Sequence, residues 1–222
     1  MKDDNFIIIA VDGGAASGKS STSKILSQRL NLLYVNTGSH YRMLTWAILK
    51  AGVSVLDQDA IVSHLKTMDI GSRIEGKEAQ ITLDNKVPDQ EIRSEQVNEA
   101  VSIIAAIPDV RQYLLTYQRS YEQLASESGF SGLIMEGRDI GSIIFPHADF
   151  RFFMSAEEGE RSRRRKLEGQ IDSIQKRDQL DSKRKIAPLT FTEGAILVDT
   201  THLNLNEVAN KMTELIHSGK KP

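Results

Sequence analysis

A chain of 222 residues, 40% hydrophobic and 26% charged, is sized for one α/β domain with a substantial core. Its 28 Lys and Arg against 30 Asp and Glu leave a formal charge of −2, with no general signal for nucleic-acid or membrane-surface binding. With no cysteine and no apolar run long enough for a signal core or a bilayer span, disulfides and thiolate metal sites are excluded, and a soluble, cytoplasmic protein is expected, taken as a monomer independently of these features.

The β-branched run Ile7 to Val11 reads as a strand buried on both faces. Asp12-Gly13-Gly14-Ala15-Ala16-Ser17-Gly18-Lys19-Ser20 follows, and from Gly13 it reproduces G-x-x-x-x-G-K-[ST], the phosphate-binding loop. Its glycines let successive backbone N–H groups turn inward toward phosphate oxygens, and Ala15, Ala16 and Ser17 keep the loop free of bulk. Lys19 then serves the terminal phosphates, Ser20 offers a hydroxyl to Mg²⁺, and the helix starting there turns its positive end to the anion. A nucleoside-triphosphate site is expected from Gly13 to Ser21.

Ile25, Leu26, Arg29 and Leu30 continue that helix, and Leu32 to Val35 reads as a second strand. Asn36-Thr37-Gly38 reads as a turn before a helical stripe of Tyr41, Leu44, Ile48 and Leu49 that ends at Gly52. Asp57 and its neighbours offer capping oxygens to a helix through Leu65. From Asp69 to Val87 the period changes to two, which predicts a small β insert. Helical periodicity returns from Ser94 to Ala106, and Pro108 opens a further helix to about Glu127. Gly129 and Gly132 flank the entry to the buried strand Leu133-Ile134-Met135, which runs into Glu136-Gly137-Arg138-Asp139. Phe150 to Met154 is another strand, 157–185 is charged and helical with a break near Gly169, and Ala195 to Asp199 is the last strand. Asn204 and Glu207 have the spacing of a capping box for the closing helix. Five strands separated by helices predict a parallel sheet with helices on both faces and its ligand at the strands' carboxyl ends. Gly13, Asn36, Glu136 and Asp199 all fall on that rim.

A phosphate loop alone permits a hydrolase, a switch or a kinase. Between Arg161 and Lys185 stand ten Lys or Arg against four Asp or Glu. Arg177, Asp181 and Arg184 fall at i, i+4 and i+7 on one helix face, and Arg161 and Arg165 lie four apart. Arginines so arranged can bind phosphate while the carboxylate orients them or accepts from a hydroxyl. Phosphoryl transfer asks for such cations around the oxygens that gain charge, with water excluded. An acceptor that is itself a phosphate needs no general base, and no Ser-His or Cys-His nucleophile pattern is present. His40, His64, His147, His202 and His217 are scattered and read as surface or satisfied residues.

Taken together, the segments resemble the bacterial cytidylate kinase family over nearly the whole length. Residues 12–20 resemble its phosphate loop, and Asn36-Thr37-Gly38-Ser39-His40-Tyr41-Arg42 its Asp-Thr-Gly-x-x-Tyr-Arg segment. Ile81 to Arg93 resembles its β insert, and Ser102 to Arg111 its Ser and Arg around an Ala-Ala-x-Pro. Glu136-Gly137-Arg138-Asp139-Ile140-Gly141 with Phe145-Pro146 is the most distinctive piece. Arg177-Asp178 through Asp181 and Arg184 to Ala187-Pro188-Leu189 matches the end of its lid.

The resemblance implies a P-loop kinase core with a five-stranded parallel sheet, a small β-containing monophosphate-binding insert and a short helical lid. The single domain divides into a core (1–38, 127–156 and 186–222), an acceptor region at about 39–126 and a lid at about 157–185. It implies transfer of the γ-phosphoryl group of ATP to CMP or dCMP with Mg²⁺. Gly13, Gly14, Ala15, Ala16, Ser17, Gly18, Lys19, Ser20, Ser21 and Arg161 then serve ATP, with Ser20 at the metal. Lys19, Arg138, Arg165 and Arg184 carry the transfer, and Thr37, Arg42, Arg138 and Arg184 hold the acceptor phosphate. Arg177 and Asp181 face the sugar, while Ser102, Arg111 and Asp139 read cytosine, whose amine suits a carboxylate and whose N3 and O2 suit Arg and Ser. Asn36 and Glu136 stand where the family commonly has Asp, and the lid between Arg165 and Arg177 is shorter than in many relatives. A P-loop kinase for another monophosphate or small metabolite is the alternative, followed by a nucleotide-dependent regulatory module.

Overall fold

The computed structural model describes residues 6–88, 90–167, 178–181, 184 and 186–219. Its strands are β1 (Ile7–Gly13), β2 (Leu32–Asn36), β3 (Ile70–Glu75), β4 (Glu78–Leu83), β5 (Gly132–Gly137), β6 (Phe150–Ser155) and β7 (Ile196–Asp199). They form one sheet in the order β3-β4-β2-β5-β1-β6-β7. The expected five parallel strands run side by side from β2 to the β7 edge, but among the described residues the sheet has seven strands, the two extra ones both beyond β2. The β insert does not stand apart: β4 pairs in parallel with β2, Val35 opposite Ala79, and β3 turns back antiparallel to form the edge. The alternating pattern of 69–87 was legible, while the ladder that attaches it joins distant residues and leaves no local trace.

The helices are α1 (Lys19–Leu30), α2 (Thr37–Lys50), α3 (Gln58–Leu65), α4 (Glu95–Ile104), α5 (Pro108–Glu127), α6 (Glu158–Leu167) and α7 (Leu205–His217). Alternate side chains of β1 serve two cores, which explains its unbroken apolar run. Ile9 and Val11 pack with Leu26 of α1 and Val208 and Met212 of α7; Ile8 and Ala10 pack on the other face with Tyr121 and Ala125 of α5. A third cluster joins Met43, Leu44 and Ile48 to Ile61, Ile104 and Leu114, and so builds the acceptor region around α2 to α5. Each fully buried residue of this size contributes about 1.5–3 kcal/mol.

Local signals placed several helix ends well. Asp57, Ser94 and Asn204 cap α3, α4 and α7, and the Asn204–Glu207 capping box is present. The turn expected at Asn36-Thr37-Gly38 is instead the start of α2, because the Asn36 carboxamide oxygen accepts from Ser39 N–H at 3.2 Å and caps the helix directly. The break near Gly169 lies outside the described residues. A π-helical turn, Ile140–Ile144, follows β5 and had no sequence signal. It is held by Asp12, whose carboxylate accepts from Ile140 N–H at 2.8 Å and Gly141 N–H at 2.7 Å.

His40 corrects another expectation: it is neither at the surface nor satisfied. It is fully buried against Tyr117 and Tyr121, and neither ring nitrogen has a hydrogen-bond partner among the described residues. Burial pushes its pKa down to about 3. Since the unfolded chain takes the proton near 6.5 and the folded chain resists it to about 3, stability contributed above 6.5 is lost as pH falls through that window. The slope is about 1.4 kcal/mol per pH unit. Asp12, raised to about 6 by burial, acts in the opposite sense between 3.8 and 6, so a difference measurement is needed. Urea unfolding at pH 7 and pH 5 should show wild type losing about 2 kcal/mol more than His40→Phe. Equal losses would mean that His40 titrates normally.

Candidate active site

The loop between β1 and α1 is shaped by close approach. A Cβ at Gly13, which has φ +146°, would meet the Met154 carbonyl oxygen at 2.1 Å, so only glycine passes there. Gly18 (φ +91°) turns the chain into α1. Inside the loop Lys19 Nζ donates to Gly14 O at 2.7 Å and reaches Ser17 Oγ at 3.4 Å. Lys19 is 6% exposed, and burial, then the nearby Arg138 guanidinium, push its ammonium down to about 7. Thr200, following β7, donates to Ser17 O at 3.0 Å and ties the loop to the far side of the sheet.

The strand ends bring the other groups to the same rim. Lys19, Ser20, Thr37, Arg42, Ser102, Arg138, Asp139, Arg165, Asp181 and Arg184, all expected site residues, line one cavity with Ala15, Ala16, Asn36 and Glu136. Two charge networks shape it. Asp181 accepts from Arg138 Nε at 3.0 Å and from Arg184, so one buried carboxylate aligns two guanidiniums. Asp139 pairs with Arg111, whose other nitrogen donates to Ala105 O at 2.9 Å and whose guanidinium lies over the Tyr41 ring. Arg111 itself stands behind Asp139, in a neighbouring cavity. Arg42 is aimed by Ile92 O at 3.0 Å and Asn98 Oδ1 at 2.7 Å. Thr37 Oγ1 donates to Glu136 O at 2.8 Å.

A second cavity opens on the other side of the loop, sharing Ala16 and lined by Ser17, Gly18, Ser21, Met154, Arg164 and Leu203. Arg164 is fixed there by Glu160 Oε1 at 2.9 Å and Thr200 O at 2.7 Å. Between the cavities, Asp178 accepts from Ala15 N–H at 3.0 Å and pairs with Arg161. A carboxylate thus sits on a backbone N–H of the phosphate loop. Gly14 lies against that pair, and Arg177 lies outside the described residues.

Sequence reasoning missed Asp12, Tyr34, Asp178 and Arg164. A carboxylate inside the apolar run of β1 was the one available signal, for Asp12; Tyr34 and Asp178 act through partners far along the chain, and Arg164 through distant Thr200 as well as nearby Glu160. Among the described residues no group of three or more His, Asp or Glu could hold a metal ion. Ser20 with Glu136 on the same wall suits Mg²⁺ bound largely by substrate phosphates and water, the usual manner for this ion. No helix among the described residues is long and apolar enough to cross a membrane.

Comparison with known proteins gives the site its setting. The family model described as cytidylate kinase matches residues 9–218. A cytidylate kinase of Caldanaerobacter subterraneus is 38% identical, with 96% of each chain covered. That of Clostridioides difficile is 36% identical over 95% of this chain and 98% of its own. A bifunctional pantoate ligase/cytidylate kinase of Prochlorococcus marinus is 37% identical over 94% of this chain but 42% of its own, so the likeness is confined to part of that protein. A sugar kinase structure from Janibacter sp. shares the fold alone, at a TM-score of 0.50 and 8% identity, with 96% of this chain and 95% of its own covered. With a phosphate loop, an arginine-lined cavity beside it, a family model matched over residues 9–218 and cytidylate kinase relatives matched over nearly their whole length, the chain belongs to the cytidylate kinase family.

Proposed function

We propose that the protein transfers the γ-phosphoryl group of ATP to CMP or dCMP, giving ADP and CDP or dCDP. The observation that carries this is the single cavity lined together by Lys19, by Arg42, Arg138 and Arg184, and by Asp139 and Ser102. ATP lies along the phosphate loop, with its base toward Arg164 in the second cavity. The acceptor's phosphate is gripped by Arg42, Arg138 and Arg184, assisted by Thr37, and its sugar by Asp181. Lys19, Arg138, Arg165 and Arg184 then surround the oxygens that gain charge during in-line transfer. An ionised phosphate acceptor needs no general base, in keeping with His40 being buried away from the cavity. Ser20 and Glu136 would hold Mg²⁺, which neutralises phosphate charge when bound with ATP. Asp139, held by Arg111, accepts from the cytosine amine; uracil presents a carbonyl there and leaves the carboxylate unanswered.

The reading divides one domain into the core, the acceptor region of about 39–126 and the lid of about 157–185. It has the enzyme working as a cytoplasmic monomer, without nucleic-acid or membrane partners. The test is coupled ADP release with ATP and Mg²⁺, offering CMP, dCMP, UMP, AMP and GMP separately. Turnover favouring CMP or dCMP is expected. Preference for another monophosphate would keep the kinase and discard the base assignment; no turnover with any would overturn the reaction.

Asp178 gives a second handle. Donor phosphate must displace its carboxylate from Ala15 N–H, so the carboxylate competes with ATP for the loop. Asp178→Asn should tighten ATP binding by about three- to tenfold in direct titration. Unchanged or weaker binding would mean that Asp178 and the donor occupy the loop together.

A further inference from the structure

The carboxylate at the end of β5 is held by a relay that starts on the neighbouring strand. Asn36 lies opposite Glu136 in the β2–β5 ladder, and Tyr34 is two residues back, on the same face of β2. Tyr34 is 1% exposed, and its Oη donates to Glu136 Oε1 at 2.5 Å. Asn36 Nδ2 in turn donates to Tyr34 Oη at 3.4 Å. The orientation of that amide is set from its other end, where Asn36 Oδ1 accepts Ser39 N–H at the start of α2. With its oxygen committed to the helix, the amide presents N–H to the tyrosine. A hydroxyl that accepts from an amide has its own proton left to give, and the carboxylate is there to take it.

The direction of the relay depends on residue 36 being an amide. An aspartate would still cap α2 but would offer the hydroxyl a second carboxylate, dividing its proton between two acceptors. Glu136 also needs the hold more than a shorter acid would, because it has one more side-chain torsion to freeze before its carboxylate has a defined place. That place is the wall of the phosphate cavity, beside Lys19, Ser20 and Thr37.

We propose that Tyr34, oriented by Asn36, is a positioning residue that fixes the Glu136 carboxylate for the divalent cation accompanying ATP. The two departures at 36 and 136 thus act as one coupled device. This deepens the phosphotransfer reading and rests on it for the cation's presence. Partners of this kind around a metal-facing group change affinity or activity by about ten- to hundredfold.

The test uses full-length wild type, Tyr34→Phe and Asn36→Asp. ATP affinity is titrated in Mg²⁺ and in EDTA, with kcat and KM for CMP and a thermal melt measured on the same samples. Tyr34→Phe keeps the ring and loses only the hydroxyl. It should lose about tenfold of the gain in ATP affinity that Mg²⁺ confers, with EDTA affinity unchanged, kcat lowered by a similar factor and KM for CMP within about twofold. Asn36→Asp should move the same quantities in the same direction by about threefold. A wild-type Mg²⁺ gain and kcat in Tyr34→Phe would show that the hydroxyl merely satisfies a buried acid, and would overturn the proposal. Should Tyr34→Phe fail to fold, Asn36→Asp decides by the same readout, an unchanged Mg²⁺ gain being the refutation. Wild type without turnover on any monophosphate would overturn the reaction reading separately, while the comparison of Mg²⁺ with EDTA still judges Tyr34.

Discussion

Lys19→Met should lower CMP-dependent ADP release by about a thousandfold or more while the protein stays folded. Methionine keeps most of the buried stem and removes only the charge. In the ligand-free protein that ammonium is 6% exposed, donates to Gly14 O at 2.7 Å and is pushed down to about 7 by burial and by Arg138. Removing a cation held at such cost should leave the thermal midpoint unchanged or raised. The loss therefore belongs to the reaction, where Lys19 meets phosphate oxygens whose charge grows toward the transition state. Steady-state kinetics with a melting curve on the same sample separate the two. Turnover within about tenfold of wild type would remove Lys19 from the transition state.

Asp139→Asn should damage both stability and selectivity. The Asp139–Arg111 pair is almost wholly buried, its side chains 5% and 8% exposed. Neutralising one partner leaves the buried Arg111 charge without its paired carboxylate, with Ala105 O, the Tyr41 ring face and the more distant Asp181 still near it. Such losses cost about 3–5 kcal/mol, readable by urea unfolding. The amide can also donate where the carboxylate could only accept, so it no longer rejects a carbonyl at position 4 of the base. The kcat/KM ratio of CMP over UMP should fall by about ten- to hundredfold, the worth of one well-made base contact. A destabilised variant with an unchanged ratio would make Asp139 purely structural and move base reading to Ser102 or other groups on the cavity wall.

The two effects arise from one geometry. Asp139 lies on the cavity wall while Arg111 stands behind it, so the arginine acts on selectivity by holding the carboxylate in place. From sequence the two look equivalent, each a polar residue within a resembling segment. Their difference in depth comes from how α5 packs beside the turn after β5, a contact across 28 positions of chain. The same holds for Asp181, which was expected to face a sugar and also aligns Arg138, 43 residues earlier, with Arg184.

What the sequence determined by itself is what short-range chemistry encodes. The phosphate loop, the caps at Asp57, Ser94 and Asn204, the proline start of α5 and the apolar runs of β1 and β5 depend on neighbours within a turn or on one side chain's burial. Their spacing on the chain is their geometry. Tertiary structure decided the rest. It attached the β hairpin to the edge of β2, buried His40 against two tyrosines with no hydrogen-bond partner among the described residues, and brought Asp12 to a turn 128 residues away. It also set Tyr34 against Glu136 across 102 residues and laid Asp178 on the phosphate loop across 163. These contacts form only when the sheet order juxtaposes the strand ends, because a side chain's partner there is chosen by distance in space and not by offset along the chain.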